Sequence, residues 1–189
     1  MQSGIDEILN EVFSLYEKFG DADYIGEPVS QLEHMSQAAQ LAMKEGFDDE
    51  VILAAFFHDI GHLLEHVMPA GQMDGFGVVD HEKLGAEYLR QKGFSEKVSK
   101  LVASHVQAKR YLTYKFPGYF DQLSVASKRT LEFQGGVMNE EQANEFENDE
   151  LHPLYIQLRK WDEMAKLEHM PLPSLDHYGE LMTRHLMGT

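Results

Sequence analysis

A histidine followed directly by an aspartate, His58-Asp59, closes an unbroken apolar run from Val51 to Phe57. Burying an imidazole and a carboxylate there is costly unless something pairs with them. A first-row divalent metal is the economical partner for that pair. The competing reading is a helix end whose polar residues simply reach solvent. Other residues bear on the choice. His34 lies in line with Ala38 and Leu41, His81 with Leu84, Gly85 and Tyr88, and His105 with Val98, Leu101 and Val102. Asp162 falls on the face carrying Tyr155, Leu158 and Ala165. Each spacing is helical, so each polar group points inward from an otherwise apolar stripe. One inward histidine is usually a hydrogen-bonded core residue; four with two aspartates are hard to explain that way. His66, His152, His169, His177 and His185 lack such a setting and read as structural or surface residues. The chain has no cysteine, which leaves histidines and carboxylates as its strong metal ligands and excludes disulfides, iron–sulfur clusters and a thiol nucleophile.

A second set of residues could receive an anion. Lys109 stands one turn beyond His105, and His62 one turn beyond His58. Ser127, Thr130 and Gln134 share a helical face, and Arg159 precedes Asp162 by three residues. Gathered around a metal centre, Lys109, Arg159, His62, Ser127 and Thr130 would form a donor cluster for a tetrahedral dianion. Taken singly they have plain alternatives: a solvated lysine at a helix end, a surface pair of Arg159 with Asp162 or Glu163, exposed hydroxyls. The formal charge of −16 argues against a nucleic acid or an anionic membrane as partner, and requires a local basic pocket for any anionic substrate.

The elements that must position these residues read as helices nearly throughout. A first helix spans about 5–19. Ser30 and Glu33 form a capping-box pattern that opens a second, ending near Gly46. A third, about 49–64, is apolar on all sides and central. The glycine-rich stretch 66–80, with Pro69, Gly71, Gly75 and Gly77, reads as a lid or binding loop. Helices over about 80–92 and 95–107 follow, then a less regular basic-aromatic segment 109–120. Further helices are expected over 123–134, over 139–148 (acidic and solvent-facing) and over 153–167, with a partly helical tail. At 189 residues the chain suits one domain, 1–189, with its metal-site core at about 24–167 and a helical tail at 168–189. The N-terminus has neither the basic start nor the apolar run of a signal peptide, so the expected location is cytoplasmic.

The order His34, His58-Asp59, Asp162 resembles the signature of the HD-domain superfamily, and the added His81 and His105 resemble its two-metal subset. The resemblance implies an all-α, single compact HD-domain helical bundle with a dinuclear metal site in its core. One metal would take His34, His58, Asp59 and Asp162, and the other Asp59, His81 and His105, with Asp59 bridging. This ligand set occurs in both binuclear phosphohydrolases and diiron oxygenases of the superfamily. Tyr24-Ile25-Gly26-Glu27 and the segment Ser104 to Tyr111 are similar to those of the HD-domain oxygenases that degrade aminophosphonates. That likeness implies two iron ions in a mixed-valent Fe(II)/Fe(III) pair, dioxygen as co-substrate and a small zwitterionic phosphonate as substrate. A 1-hydroxy-2-aminoethylphosphonate would be cleaved to glycine, or to an N-methylated glycine, and phosphate. Tyr24 and Glu27 would act as gate and ammonium partner, His62 beside them as a catalytic residue. Lys109, Ser127, Thr130, Gln134, Arg159 and His62 would hold the phosphonate. Rival readings are a binuclear phosphohydrolase of a nucleotide or phosphoester, a relative of the inositol-cleaving diiron oxygenases, and a non-catalytic ligand sensor. No base-stacking or ribose-binding element supports the first, the chain is short for the second, and the anion cluster tells against the third.

Overall fold

The computed structural model describes residues 2–24, 26–68, 73 and 79–188. Among these, eleven helices run α1 Gln2–Phe19, α2 Gln31–Lys44, α3 Asp49–Phe57, α4 Ile60–Leu64, α5 His81–Gln91, α6 Glu96–Lys115, α7 Tyr119–Gln122, α8 Val125–Phe133, α9 Glu140–Asn148, α10 His152–Met164 and α11 Leu175–Met187. The β pairing among the described residues is an isolated bridge between Asp23 and Ser30. No described helix is long and apolar enough to cross a membrane. Most of the expected glycine-rich loop, including Pro69, Gly71, Gly75 and Gly77, lies outside the described residues, as does Ile25.

Helix α3 is the hub. Every residue from Val51 to Phe57 is buried, and α2, α6, α10 and α11 all pack on it. Burial of such side chains contributes about 1.5–3 kcal/mol each. Its start is set by Asp48, whose side chain accepts from the Val51 amide. The capping box of α2 is present: the Ser30 hydroxyl accepts from the Glu33 amide, and the Glu33 carboxylate accepts from the Ser30 amide. In the tail, α11 packs against α1 and α3, placing Tyr178 on Phe56 with ring centroids 3.8 Å apart.

Two sequence expectations need correction. The single helix expected over 49–64 is broken at His58 and Asp59, where Asp59 takes φ −108° and ψ 13°. Adjacent residues on a regular helix point about 100° apart; the break lets His58 and Asp59 face the same centre. It also brings Gly61 against α5, where a Cβ would lie 2.0 Å from the His81 carbonyl oxygen. The segment after Gln107, expected to be irregular, continues α6 to Lys115. That helix stops where Phe116, with φ −124° and ψ 101°, precedes Pro117, as the proline ring disfavours helical geometry in the residue before it.

Candidate metal centre and anion pocket

Four helices, α2, α5, α6 and α10, and the α3–α4 break deliver the inward polar groups to one place. His34, His58, Asp59, His81, His105 and Asp162 are all buried, none more than 4 % exposed. The Asp59 carboxylate lies at the middle. Its Oδ2 is 3.5 Å from Nε2 of both His34 and His58. Its Oδ1 is 3.2 Å from Nε2 of both His81 and His105. Asp162 joins the first pair, with Oδ1 3.4 Å from His34 Nε2.

The ring nitrogens show what this arrangement is built to hold. The Nδ1 atoms of His34, His58 and His105 donate to the carbonyls of Ala165, Ala55 and Val102. Their Nε2 atoms are therefore left with lone pairs when the rings are neutral. His34 Nε2 nevertheless faces His58 Nε2 at 3.0 Å, and His81 Nε2 faces His105 Nε2 at 2.9 Å. At His34 and His58 both facing atoms then carry lone pairs, which repel at that distance unless a cation sits between or beside them. Carbonyl contacts that orient the far nitrogen are the usual support of a metal-binding imidazole. The carboxylates make the same demand for positive charge. Burial works against protonation of His34, yet Asp162 and Asp59 push it up to about 9. Burial alone would raise the Asp59 carboxyl, but His58 and hydrogen bonds from His105 and His34 hold it well below the usual range. The donor set fits two metal ions sharing one carboxylate.

A cavity of roughly 190 Å³ opens from this centre. Tyr24, Glu27, His62, Lys109, Ser127, Thr130, Gln134 and Arg159 all line it, so the structure brings together every substrate-side residue expected from sequence. Lys109, 3 % exposed, donates to Thr130 Oγ1 at 2.8 Å. Burial and then the neighbouring Arg159 push its ammonium down to about 7. Arg159 is no surface residue: at 4 % exposure it contacts Asp162 Oδ2 at 2.5 Å and Glu163 Oε1 at 2.9 Å, with an NH2 nitrogen 3.5 Å from Ser127 Oγ. His62 stacks on His81, centroids 4.1 Å apart, and burial followed by the charge of His81 lowers it to about 3. Oδ or ring-nitrogen atoms of Asp59, His62 and His81 also cluster closely enough to share an ion. Gln134 Oε1 is buried without a hydrogen-bond partner.

Sequence reasoning missed several participants. Tyr119 accepts from Arg159 Nε at 3.1 Å and donates to Glu163, holding the guanidinium from behind. Lys166 pairs with Glu27 at 2.6 Å, so Glu27 reaches the cavity with a partner already in place. Nothing in the local sequence around Lys166 marks it. His66, read as a structural or surface residue, is exposed and stacks on Phe19, but it also forms part of the cavity wall. Gln31, the first residue of α2, is also on the wall, with its buried Oε1 unpartnered.

Fold and donor set together define an all-helical metal-dependent protein with room for two ions. The HD domain model matches residues 31–145, and the chain belongs to the HD-domain family. The match covers His34, His58, Asp59, His81 and His105, while Asp162 is supplied by a helix beyond it. An uncharacterized protein of Acanthamoeba polyphaga mimivirus is 43 % identical over 94 % of this chain and 81 % of its own length. The 1-hydroxy-2-(trimethylamino)ethylphosphonate dioxygenase (glycine-betaine-forming) of Leisingera caerulea is 37 % identical over 94 % of this chain and 89 % of its own. The hydroxymethylphosphonate dioxygenase of Gimesia maris is 39 % identical over 91 % and 85 % respectively.

Proposed function

We propose that this chain is a diiron dioxygenase that cleaves the carbon–phosphorus bond of a small 1-hydroxyphosphonate. The observation that carries the reading is the Asp59 carboxylate, each oxygen of which faces a pair of imidazole Nε2 atoms beside an anion pocket built from Lys109, Arg159, Ser127 and Thr130. Similarity to two phosphonate dioxygenases over most of the chain supports the choice of oxygen chemistry over hydrolysis. The reaction balances as R–CH(OH)–PO3²⁻ plus O2 giving R–COO⁻ plus H2PO4⁻. One C–H bond and the C–P bond break, the carbon is oxidised and dioxygen is reduced.

His34, His58, Asp59 and Asp162 would hold one iron, and Asp59, His81 and His105 the other. As a mixed-valent Fe(II)/Fe(III) pair these ions would supply the capacity to bind and reduce dioxygen and to polarise the substrate hydroxyl. The protein's own part is positional. Arg159 and the protonated form of Lys109 offer charge-assisted donors to the phosphonate oxygens, and the hydroxyls of Ser127 and Thr130 complete the grip. Asp162 and Glu163 hold Arg159 in place, so its geometry is set before substrate arrives. Tyr24 stacks on His34 with centroids 3.8 Å apart and would cover the first ion position as a gate. His62, kept neutral, can accept or donate a hydrogen bond at the second.

The test is purification and iron reconstitution without oxygen, then simultaneous oxygen-uptake and phosphate assays with 1-hydroxyphosphonates. One phosphate released per dioxygen consumed is expected. Phosphate release from a nucleotide or phosphoester with no oxygen uptake would replace the reading with hydrolysis.

A further inference from the structure

A cavity that takes a cationic substrate arm needs a free carboxylate or an open aromatic face to receive it. Tyr24 and Glu27 are the groups on this wall that could do so, and one ammonium of the chain engages both. Lys166 Nζ lies 2.6 Å from Glu27 Oε1 and 6.0 Å from the centroid of the Tyr24 ring. The pair is shielded from water, with 11 % of the Glu27 side chain and 18 % of the Lys166 side chain exposed. Tyr24 also has a face committed to His34. The other carboxylates lining the cavity offer little in exchange: Asp59 and Asp162 belong to the metal centre, Asp23 is exposed, and Glu65 sits 3.7 Å from His66 Nε2. Tyr24 is the one phenyl-type ring among the described lining residues, so they build no aromatic cage for a quaternary ammonium.

We propose that Lys166, which does not line the cavity, is a built-in cation that occupies Glu27 from behind the wall and so takes the carboxylate a substrate ammonium would need, which makes the site selective for a small hydroxyphosphonate with no positively charged arm. Hydroxymethylphosphonate is the smallest such compound. Its oxidation balances as HOCH2–PO3²⁻ plus O2 giving HCOO⁻ plus H2PO4⁻, with the carbon raised to the level of formate and dioxygen as oxidant. The inference rests on the dioxygenase reading for its reaction, while the selectivity is a property of the wall and can be measured by binding alone.

Anaerobic titration calorimetry on the iron-loaded enzyme compares hydroxymethylphosphonate with 2-amino-1-hydroxyethylphosphonate and its trimethylammonium counterpart. Hydroxymethylphosphonate should bind at least tenfold more tightly than either. Lys166→Met, or Lys166→Gln if the first variant folds poorly, should shift that ratio by tenfold or more toward the ammonium compounds, whereas Lys166→Arg should keep the original order. Equal or tighter binding of an ammonium compound by the native enzyme overturns the proposal, as does a ratio unchanged when Lys166 is neutralised. Oxygen uptake is followed on the same samples. The expected binding order without turnover would support the selectivity and sink the dioxygenase reading; binding of none of the three would sink both.

Discussion

Replacing Lys109 by methionine should make the protein more stable and less able to hold an anion. The ammonium is 3 % exposed and is pushed down to about 7 from its ordinary 10.5, by burial and then by Arg159. A depressed lysine value means that the folded state disfavours the charged form. Between pH 7 and 10.5 the unfolded chain therefore binds more protons than the folded one, and stability rises with pH across that window. Below pH 7 the whole penalty applies: 3.5 units, or roughly 5 kcal/mol as a ceiling at ~1.4 kcal/mol per unit. Discounting that by about half for structural relaxation, and by ~1 kcal/mol for the lost bond to Thr130, leaves a net gain on the order of 1–2 kcal/mol near pH 6. For a domain of this size that raises Tm by about 2–8 °C. Cations held nearby would disfavour the ammonium further, so the sign is the same with metal bound. Thermal unfolding of both proteins at pH 6 and pH 9, with equal metal content, measures it. The gain should shrink to less than about half at pH 9, where the folded native protein has shed the proton and the unfolded chain has begun to. In the same variant, kcat/KM should fall by about 10- to 100-fold, the size of a lost charge-assisted bond. A variant that is less stable at pH 6, or whose gain grows with pH, refutes the account of Lys109 as a charge held against its solvation for the substrate.

Asp59→Asn should lower metal content from about two ions per chain to below one, since both ion positions depend on this carboxylate; elemental analysis after anaerobic loading decides it, and retention of both ions would contradict the bridging role. Gly61→Ala drives a Cβ to 2.0 Å from the His81 carbonyl, so α5 must shift. A loss of about 1–3 kcal/mol is expected, together with weaker binding of the ion at His81 and His105; an unaltered Tm would show that the helices separate freely. Tyr119→Phe removes the phenolic oxygen that accepts from Arg159 Nε. It should raise KM about fivefold, equivalent to ~1 kcal/mol, with little change in kcat. An effect on kcat alone would place Tyr119 nearer the chemistry.

Residue types and periodicity determine a good deal of this protein. An apolar run ending in His58-Asp59, with histidines on other inward stripes, specifies helices that bury their polar groups together, because such groups cannot be buried apart at tolerable cost. The capping box at Ser30 and the central place of 51–57 follow from local hydrogen bonding and hydrophobicity, which neighbours in sequence suffice to define. What periodicity could not show is where a helix gives up its regularity under tertiary load. The break at Asp59 requires α5 to press against Gly61, and the continuation of α6 to Lys115 follows from its packing against α8 and α9, both unseen in a local window. Partnerships across the chain were equally hidden. Lys166 meets Glu27 over a separation of 139 residues, and Tyr119 meets Arg159 over 40. Sequence therefore determines which groups are buried, and packing decides which of them remain open to a substrate. A carboxylate's availability depends on the one cation brought within 3 Å of it, a distance that only the tertiary structure sets.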